Sequence, residues 1–181
     1  KPYIKTSVFE TWRKRVPWLL FLMVSATFTS VIISSYEDAL AANLVLSSFI
    51  PMLMDTGGNS GSQSSTTIIR GLSLGEIRFI DVPRVIFKES AVAILCGLTL
   101  AVTNFVKLML VDHVAMMVAA VVCLTLFVVV LVSNVVGGLL PILAKRLGFD
   151  PTVMASPLIT TIVDAVALMI YFNIAKLLLG L

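Results

Sequence analysis

Residues 114–140 read VAMMVAAVVCLTLFVVVLVSNVVGGLL, 27 positions without one charged side chain. A helix needs ~20 mostly apolar residues to cross the hydrocarbon of a bilayer. This stretch therefore sets the fold class as an all-α integral membrane protein, and it orders the rest of the chain around itself. Outward from it lie four further candidate spans, at 17–36, 39–72, 86–111 and 152–180. The links at Glu37-Asp38 and Asp112-His113 are so short that the segments they join must be antiparallel neighbours. Pro17 stands where proline is permitted, at a helix's first turn. The segment 39–72 is expected to be interrupted by polar residues and glycines from Asp55 to Gln63.

Composition agrees with a membrane-spanning chain. Of 181 residues, 59% are hydrophobic and 13% charged, about half the ~25% of ordinary globular domains. Mean hydropathy is +1.05. Such a chain is neither a soluble fold nor a disordered one, which would be poor in apolar residues and rich in charge. The formal charge of +3 acquires a meaning once each cation is placed relative to a bilayer. With the N-terminus inside, Lys1, Lys5, Arg13, Lys14, Arg15, Arg70, Arg78, Arg84, Lys88, Lys145 and Arg146 fall on the inner side. Only Lys107 and Lys176 fall outside. Lys and Arg concentrate in cytoplasmic loops, so the expected topology has five transmembrane helices, a cytoplasmic N-terminus and an external C-terminus. The basic balance then needs no nucleic acid as a partner.

Residues 1–16 are expected to form an amphipathic juxtamembrane connector helix, with Ile4, Val8 and Trp12 on one face beside Phe9. Residues 17–181 would be the transmembrane domain. No secretory signal is visible, because no small-residue cleavage site follows the first apolar run. The stretch from Arg70 to Lys88 reads as an inner loop with short helical pieces. Cys96 and Cys123 lie in apolar runs and read as packing residues. Ala93, Gly97 and Ala101, and likewise Ser133 and Gly137, suit close helix contact. Five spans cannot divide into two equal inverted repeats, so a two-fold path requires a homodimer.

Ionisable groups inside a membrane default to a functional hypothesis. Asp164 lies 12 residues after Thr152, ~18 Å along a helix and near the midplane. Ser156, Thr160 and Asp164 recur every four residues, with Pro157 and Thr161 adjacent, and Pro157 frees a carbonyl near residue 153. The second polar cluster is Asp55-Thr56-Gly57-Gly58-Asn59-Ser60-Gly61-Ser62-Gln63. Non-helical backbone at membrane depth is tolerated only where it is buried or lines a cavity. Tight helix packing is the other use for its glycines. Asn59 and Gln63 could present amide oxygens on one face. Glu89 reads as interfacial. Oxygen donors with one carboxylate per subunit suit a hydrated Mg2+, and the absence of Cys or His nearby disfavours soft metals.

Pro51, Asp55, Gly58-Asn59, Gly61 and Gln63 together resemble the signature of the MgtE magnesium channels and their eukaryotic solute-carrier relatives. Asp150-Pro151, Ser156-Pro157-Leu158, Thr160-Thr161 and Asp164 resemble the start of that family's last helix. The resemblance implies a homodimer with one pore at its interface, lined by the second and fifth spans. It implies Asp164, Thr160 and Asn59 around a largely hydrated Mg2+, with Asp55, Gly57, Gly58, Gly61, Gln63, Ser156, Pro157 and Thr161 lining the path. It tolerates Gly at the position of Asp55, so Asp55 is not an indispensable ligand. Members usually carry cytosolic N-terminal and CBS regulatory domains. The chain is accordingly expected to be a transmembrane domain cut from a longer protein, or a short natural variant, in a plasma (inner) membrane.

Other classes fit less. Asp55-Thr56-Gly57 looks like an aspartic-protease triplet and Gly58-Asn59-Ser60-Gly61 like a rhomboid nucleophile motif. The first works in β-rich lobes with a second carboxylate at ~3 Å. The second needs a base within reach, and the lone His113 sits in a short loop. A cation-coupled carrier exchanging Mg2+ or another divalent ion against H+ or Na+ is the nearest alternative, with Asp164 as the proton carrier. A plain membrane anchor leaves both polar clusters unexplained.

Overall fold

The computed structural model describes residues 2–181, with the side chains of 153–156 left out. Among the described residues the regular structure is entirely helical. The helices are α1 (Val8–Ser35), α2 (Glu37–Ala42), α3 (Ile50–Ser73), α4 (Val82–Lys107), α5 (Met116–Arg146) and α6 (Pro151–Leu179). Short 3-10 turns cover Tyr3–Lys5, Leu44–Phe49 and Phe79–Asp81, and Leu108–Asp112 widens into π-helix. Among the described residues four stretches are long and apolar enough to cross a membrane: Val8–Ser35, Phe79–Asp112, Met116–Arg146 and Pro157–Leu179.

The fifth expected span needs correction. Residues 39–72 are not one segment. Chain 37–42 is the short α2, a 3-10 turn follows, and α3 starts at Ile50. With 24 residues, α3 is about 36 Å long, enough to cross a bilayer, but it is too polar to join the four apolar spans. The expected interruption from Asp55 to Gln63 is absent, because this stretch is continuous α-helix. Pro17 is also not a helix start. Helix α1 begins at Val8, where the Ser7 hydroxyl accepts from the Glu10 N–H at 3.2 Å, and runs through Pro17 to Ser35. The connector 1–16 is therefore split: a 3-10 turn, then the first turns of α1 itself.

Helix α5 is the axis of the bundle. It packs against α3, α4 and α6, and α6 also packs against α3 and α1. Its buried residues run from Val118 to Ala144 on several faces, as expected of a helix apolar all round. Helix α1 lies mainly on α6 and buries only Ser25. The main core joins Leu46, Phe49 and Leu53 to Val121, Val122 and Leu126 of α5 and to Leu168, Tyr171 and Phe172 of α6. Cys123 belongs to that core, whereas Cys96 is exposed, contrary to the packing role expected for it.

Glycine decides how close the helices come. A Cβ on Gly57 would lie 2.7 Å from both Val129 of α5 and Val163 of α6. A Cβ on Gly61 would lie 2.7 Å from Ile159 and 3.2 Å from the Ser133 carbonyl, and a Cβ on Gly137 would enter the Gly61 backbone. Each glycine costs a helix about 1 kcal/mol against alanine, which the backbone contacts offset. The same pairs give the register. Gly57 and Gly61 face Val163 and Ile159 in reverse order, so α3 and α6 are antiparallel. They face Ser133 and Gly137 in ascending order, so α3 and α5 are parallel. The end where α3 and α5 finish, with Arg70, Arg78, Arg84, Lys88, Lys145 and Arg146, is the basic end. Asp150 caps α6 there, accepting from the Thr152 N–H at 2.9 Å and hydroxyl at 2.6 Å, which holds its carboxyl below the usual range.

The Gly137→Ala substitution is expected to destabilise the bundle by about 1–3 kcal/mol, the usual cost of overpacking. Nothing within the chain lies within 4 Å of a Cβ built on Gly58, so in the single, undimerised chain Gly58→Ala should be neutral or stabilising by up to ~1 kcal/mol. Unfolding of the two variants in mixed detergent micelles checks both.

Candidate functional site

Helix α3 has two faces. Leu53, Gly57, Gly61, Ser64, Ser65, Ile68 and Leu72 are buried, following the three- and four-residue spacing of one helical side. On the other side Asp55, Asn59, Gln63, Thr66 and Thr67 are exposed. This reverses what lipid demands, since the outward column is made of hydrogen-bonding side chains.

The antiparallel register sets that column beside the polar half of α6. Asp55 precedes Gly57 by two residues and Asp164 follows its partner Val163, and the two carboxylates are near enough to interact electrostatically. Asn59, midway between Gly57 and Gly61, stands at the level of Thr160 and Thr161, and Gln63 at that of Pro157. Asp164, Thr161 and Pro157 are half-buried and Thr160 is exposed. The Thr161 hydroxyl donates back to the Pro157 carbonyl at 3.1 Å, within its own helix. Asp164 is the fourteenth residue of the 29 in α6, close to its middle. The side chain of Ser156 lies outside what is described.

Of the sequence-predicted residues, Asp55 and Asp164 are thus brought near each other, Thr160, Thr161 and Pro157 lie along the same half of α6, and Asn59 and Gln63 stand on the exposed side of α3, where they also wall the cleft toward α4. Gly57 and Gly61 are turned away from that side, into α5 and α6. They bring α3 close to those helices and do not line a path within this chain. Gly58 is half-buried, with no neighbour where a Cβ would stand. Its smallness has no use inside one chain.

Two polar residues, Ser64 and Asn134, escaped the reading of the sequence. A cleft of about 700 Å³ lies between α3 and α4, with Asn59, Gln63, Lys88, Glu89, Cys96 and Asn134 among its walls. At its base the Ser60 hydroxyl donates to the Asn134 side-chain oxygen. The Ser64 hydroxyl lies 2.7 Å from the Glu89 carboxylate and 2.8 Å from the Asn134 carbonyl. Glu89 is 9% exposed, so it is a buried tie between α4 and α3. The available signal was Ser133-Asn134, the polar pair that breaks an otherwise apolar run. Among the described residues no group of three or more His, Cys, Asp or Glu converges as a metal cluster.

The family model described as MgtE, a divalent cation transporter, matches residues 50–174, more than half of the chain. The chain belongs to the MgtE family. It is 38% identical over 177 residues to the magnesium transporter MgtE of Thermus thermophilus, covering 98% of this chain and 39% of that protein. The Bacillus subtilis magnesium transporter MgtE is 34% identical over 170 residues, 94% of this chain and 38% of that protein. That of Enterococcus faecalis is 32% identical over 164 residues, 91% and 36% respectively. The chain spans about two fifths of the length of these curated relatives. MgtE proteins are transporters and not enzymes, which removes the protease readings of Asp55-Thr56-Gly57 and Ser60. The chain is a multi-pass membrane protein of a plasma-membrane transporter family.

Removing the Ser64 hydroxyl leaves a buried carboxylate without its donor. Ser64→Ala should cost about 1–3 kcal/mol, and Asn134→Leu a similar amount through Ser60. Equilibrium unfolding in detergent measures both. An unchanged midpoint in Ser64→Ala would show that Glu89 does not depend on that hydroxyl.

Proposed function

We propose that this chain is the conducting part of a Mg2+-selective channel in the plasma membrane, working as a homodimer with one pore between its subunits. The observation that supports the reading is the exposed polar column of α3, with Asp55 near the mid-helix carboxylate Asp164 of α6. Lipid cannot satisfy it, and a second copy, related by a two-fold axis, can close it into a water-filled path. The five long helices then all span the membrane, α3 included. The basic end faces the cytoplasm and the C-terminus lies outside, following the Lys and Arg asymmetry.

In this arrangement Asp164 is the principal ligand, one from each subunit. Two carboxylates suit an ion that dehydrates reluctantly and keeps several of its waters. Thr160 and Asn59, at neighbouring levels, hydrogen-bond those waters, and Asp55 adds negative charge on one side of the site. Gln63, Pro157 and Thr161 line the approach from the basic end, with Ser156 assigned there from its sequence position. Gly58 is small because the partner or the hydrated ion comes close. Other divalent cations of similar hydration would compete for the same oxygens. The cytosolic regulatory domains of the family are partners of the whole protein, and gating by them is part of the same proposal.

In reconstituted vesicles Asp164→Asn should abolish Mg2+ influx, by at least tenfold, while the protein stays folded. Unchanged influx in a folded variant would move the ion site elsewhere. Influx that requires an opposing H+ or Na+ gradient would replace the channel by a coupled carrier. For the dimer, Asn59→Cys in a background lacking Cys96 and Cys123 should be joined between subunits by a bifunctional thiol reagent that spans the path, since a direct disulfide needs closer backbones. Failure to cross-link at any position along the exposed face, from Asp55 to Thr66, would argue against a shared pore there.

A further inference from the structure

A second, smaller pocket of about 280 Å³ lies at the basic end, between the ends of α3 and α5 and the chain that leads into α4. Its apolar walls are Leu72, Ile77, Phe79 and Ile142, and its rim carries Arg78, Lys145 and Arg146. It is far along α3 from Asp55 and takes no part in the path described above.

The cations on this rim are held in place. The Lys145 ammonium donates to the Leu72 carbonyl at 3.2 Å, closing the last turn of α3. The Arg146 guanidinium carbon sits 3.9 Å from the centre of the Phe79 ring. A guanidinium stacked by its face keeps its N–H donors free at the edge, in a planar fork that matches a phosphate. Among the described residues neither Lys145 nor Arg146 has a carboxylate within ion-pair distance. The carboxylate that pairs at this end, Asp81, is shared between Arg78 at 4.0 Å and Arg84 at 3.6 Å. Glu76 is exposed on the same loop and does not line the pocket. The rim therefore keeps an uncompensated positive charge.

The surroundings indicate where the anion comes from. Leu74 (62%), Phe79 (43%), Ile80 (75%), Leu147 (72%) and Phe149 (53%) are exposed around these cations. An apolar collar mixed with Arg and Lys at the end of a spanning bundle belongs at the level of lipid headgroups. A free phosphate in water would leave that collar uncovered.

The geometry points to a binding site for an anionic phospholipid, with the phosphodiester on Arg146 and Lys145 and the start of an acyl chain between Phe79, Ile77 and Ile142. Basic pockets between transmembrane helices on the cytoplasmic side hold acidic headgroups in this way. The bound lipid ties α3, α5 and the α4 entry together at the end opposite the Leu108–Asp112 turn.

The test is thermal stability of the purified chain in detergent with added phosphatidylglycerol or phosphatidylcholine. Wild type should be stabilised more by phosphatidylglycerol, and the concentration needed for half of that shift should rise about tenfold in Arg146→Gln. Arg146→Lys keeps the charge and loses the fork, so it should show an intermediate loss and serves where the Gln variant does not fold. Arg13→Gln, in α1, should bind as wild type. Inorganic phosphate at the same concentration should give no shift. Equal stabilisation by the two lipids, a wild-type response in the foldable Arg146 variant, or an equal loss in Arg13→Gln would overturn the site. A shift of the same size with inorganic phosphate would overturn its assignment to lipid.

Discussion

The approach of the α3 backbone to α5 and α6 at Gly57, Gly61 and Gly137 is the constraint on which the bundle depends. Helices in a bilayer gain little from burying apolar side chains, because lipid is as apolar as they are, and small residues that let backbones touch take over. Once α3 is drawn in by its glycine face, its opposite face is fixed by helical geometry. Asp55, Asn59 and Gln63 then have no choice but to point outward. The column of polar side chains beside Asp164 is thus a consequence of where the glycines lie.

The buried hydrogen bonds act on the other flank of the same contact. Ser60 and Ser64 lie on α3 beside the glycine face and reach Asn134 of α5 and Glu89 of α4. Close backbones place short hydroxyl side chains within reach of a carbonyl on the next helix, where longer side chains would hold it away. Packing and polar satisfaction are therefore one arrangement, in which α3, α4 and α5 are mutually specified.

Much of this was legible in the sequence. The long apolar runs give α4, α5 and α6 nearly as they are, and the placement of Lys and Arg distinguishes one end of the bundle. Asp164 stands out because a carboxylate in an apolar run has so few structural uses. The failures share a cause. Pro17 looks like a boundary by local rules, yet the helix that starts at Val8, capped by Ser7, runs on through it. The glycines from Gly57 to Gly61 look like a break, because composition does not tell whether glycine bends a chain or admits a neighbour. That depends on Val129, Ser133, Ile159 and Val163, which are distant in sequence. That Glu89 is tied to α3 becomes visible only once Ser64 is known to sit opposite. The register between helices is the information that a hydropathy pattern lacks.

One bond at the end remote from the basic cluster bears on how such a molecule can move. The Tyr171 hydroxyl, fully buried, donates to the Leu46 carbonyl at 2.6 Å, and Tyr36 stacks on Phe172 at 4.8 Å beside it. These contacts pin the turn before α3 to α6 and to the end of α1. At the basic end α3 runs out into an exposed loop with Gly75 at φ +73°. Helices α3 and α6 are therefore riveted at the remote end by Tyr171, whereas at the basic end the last turn of α3 is tied to α5, by Lys145 and by Leu72 on Ile142. A displacement of that last turn is thus shared with α5, and Asp164 lies between it and the rivet.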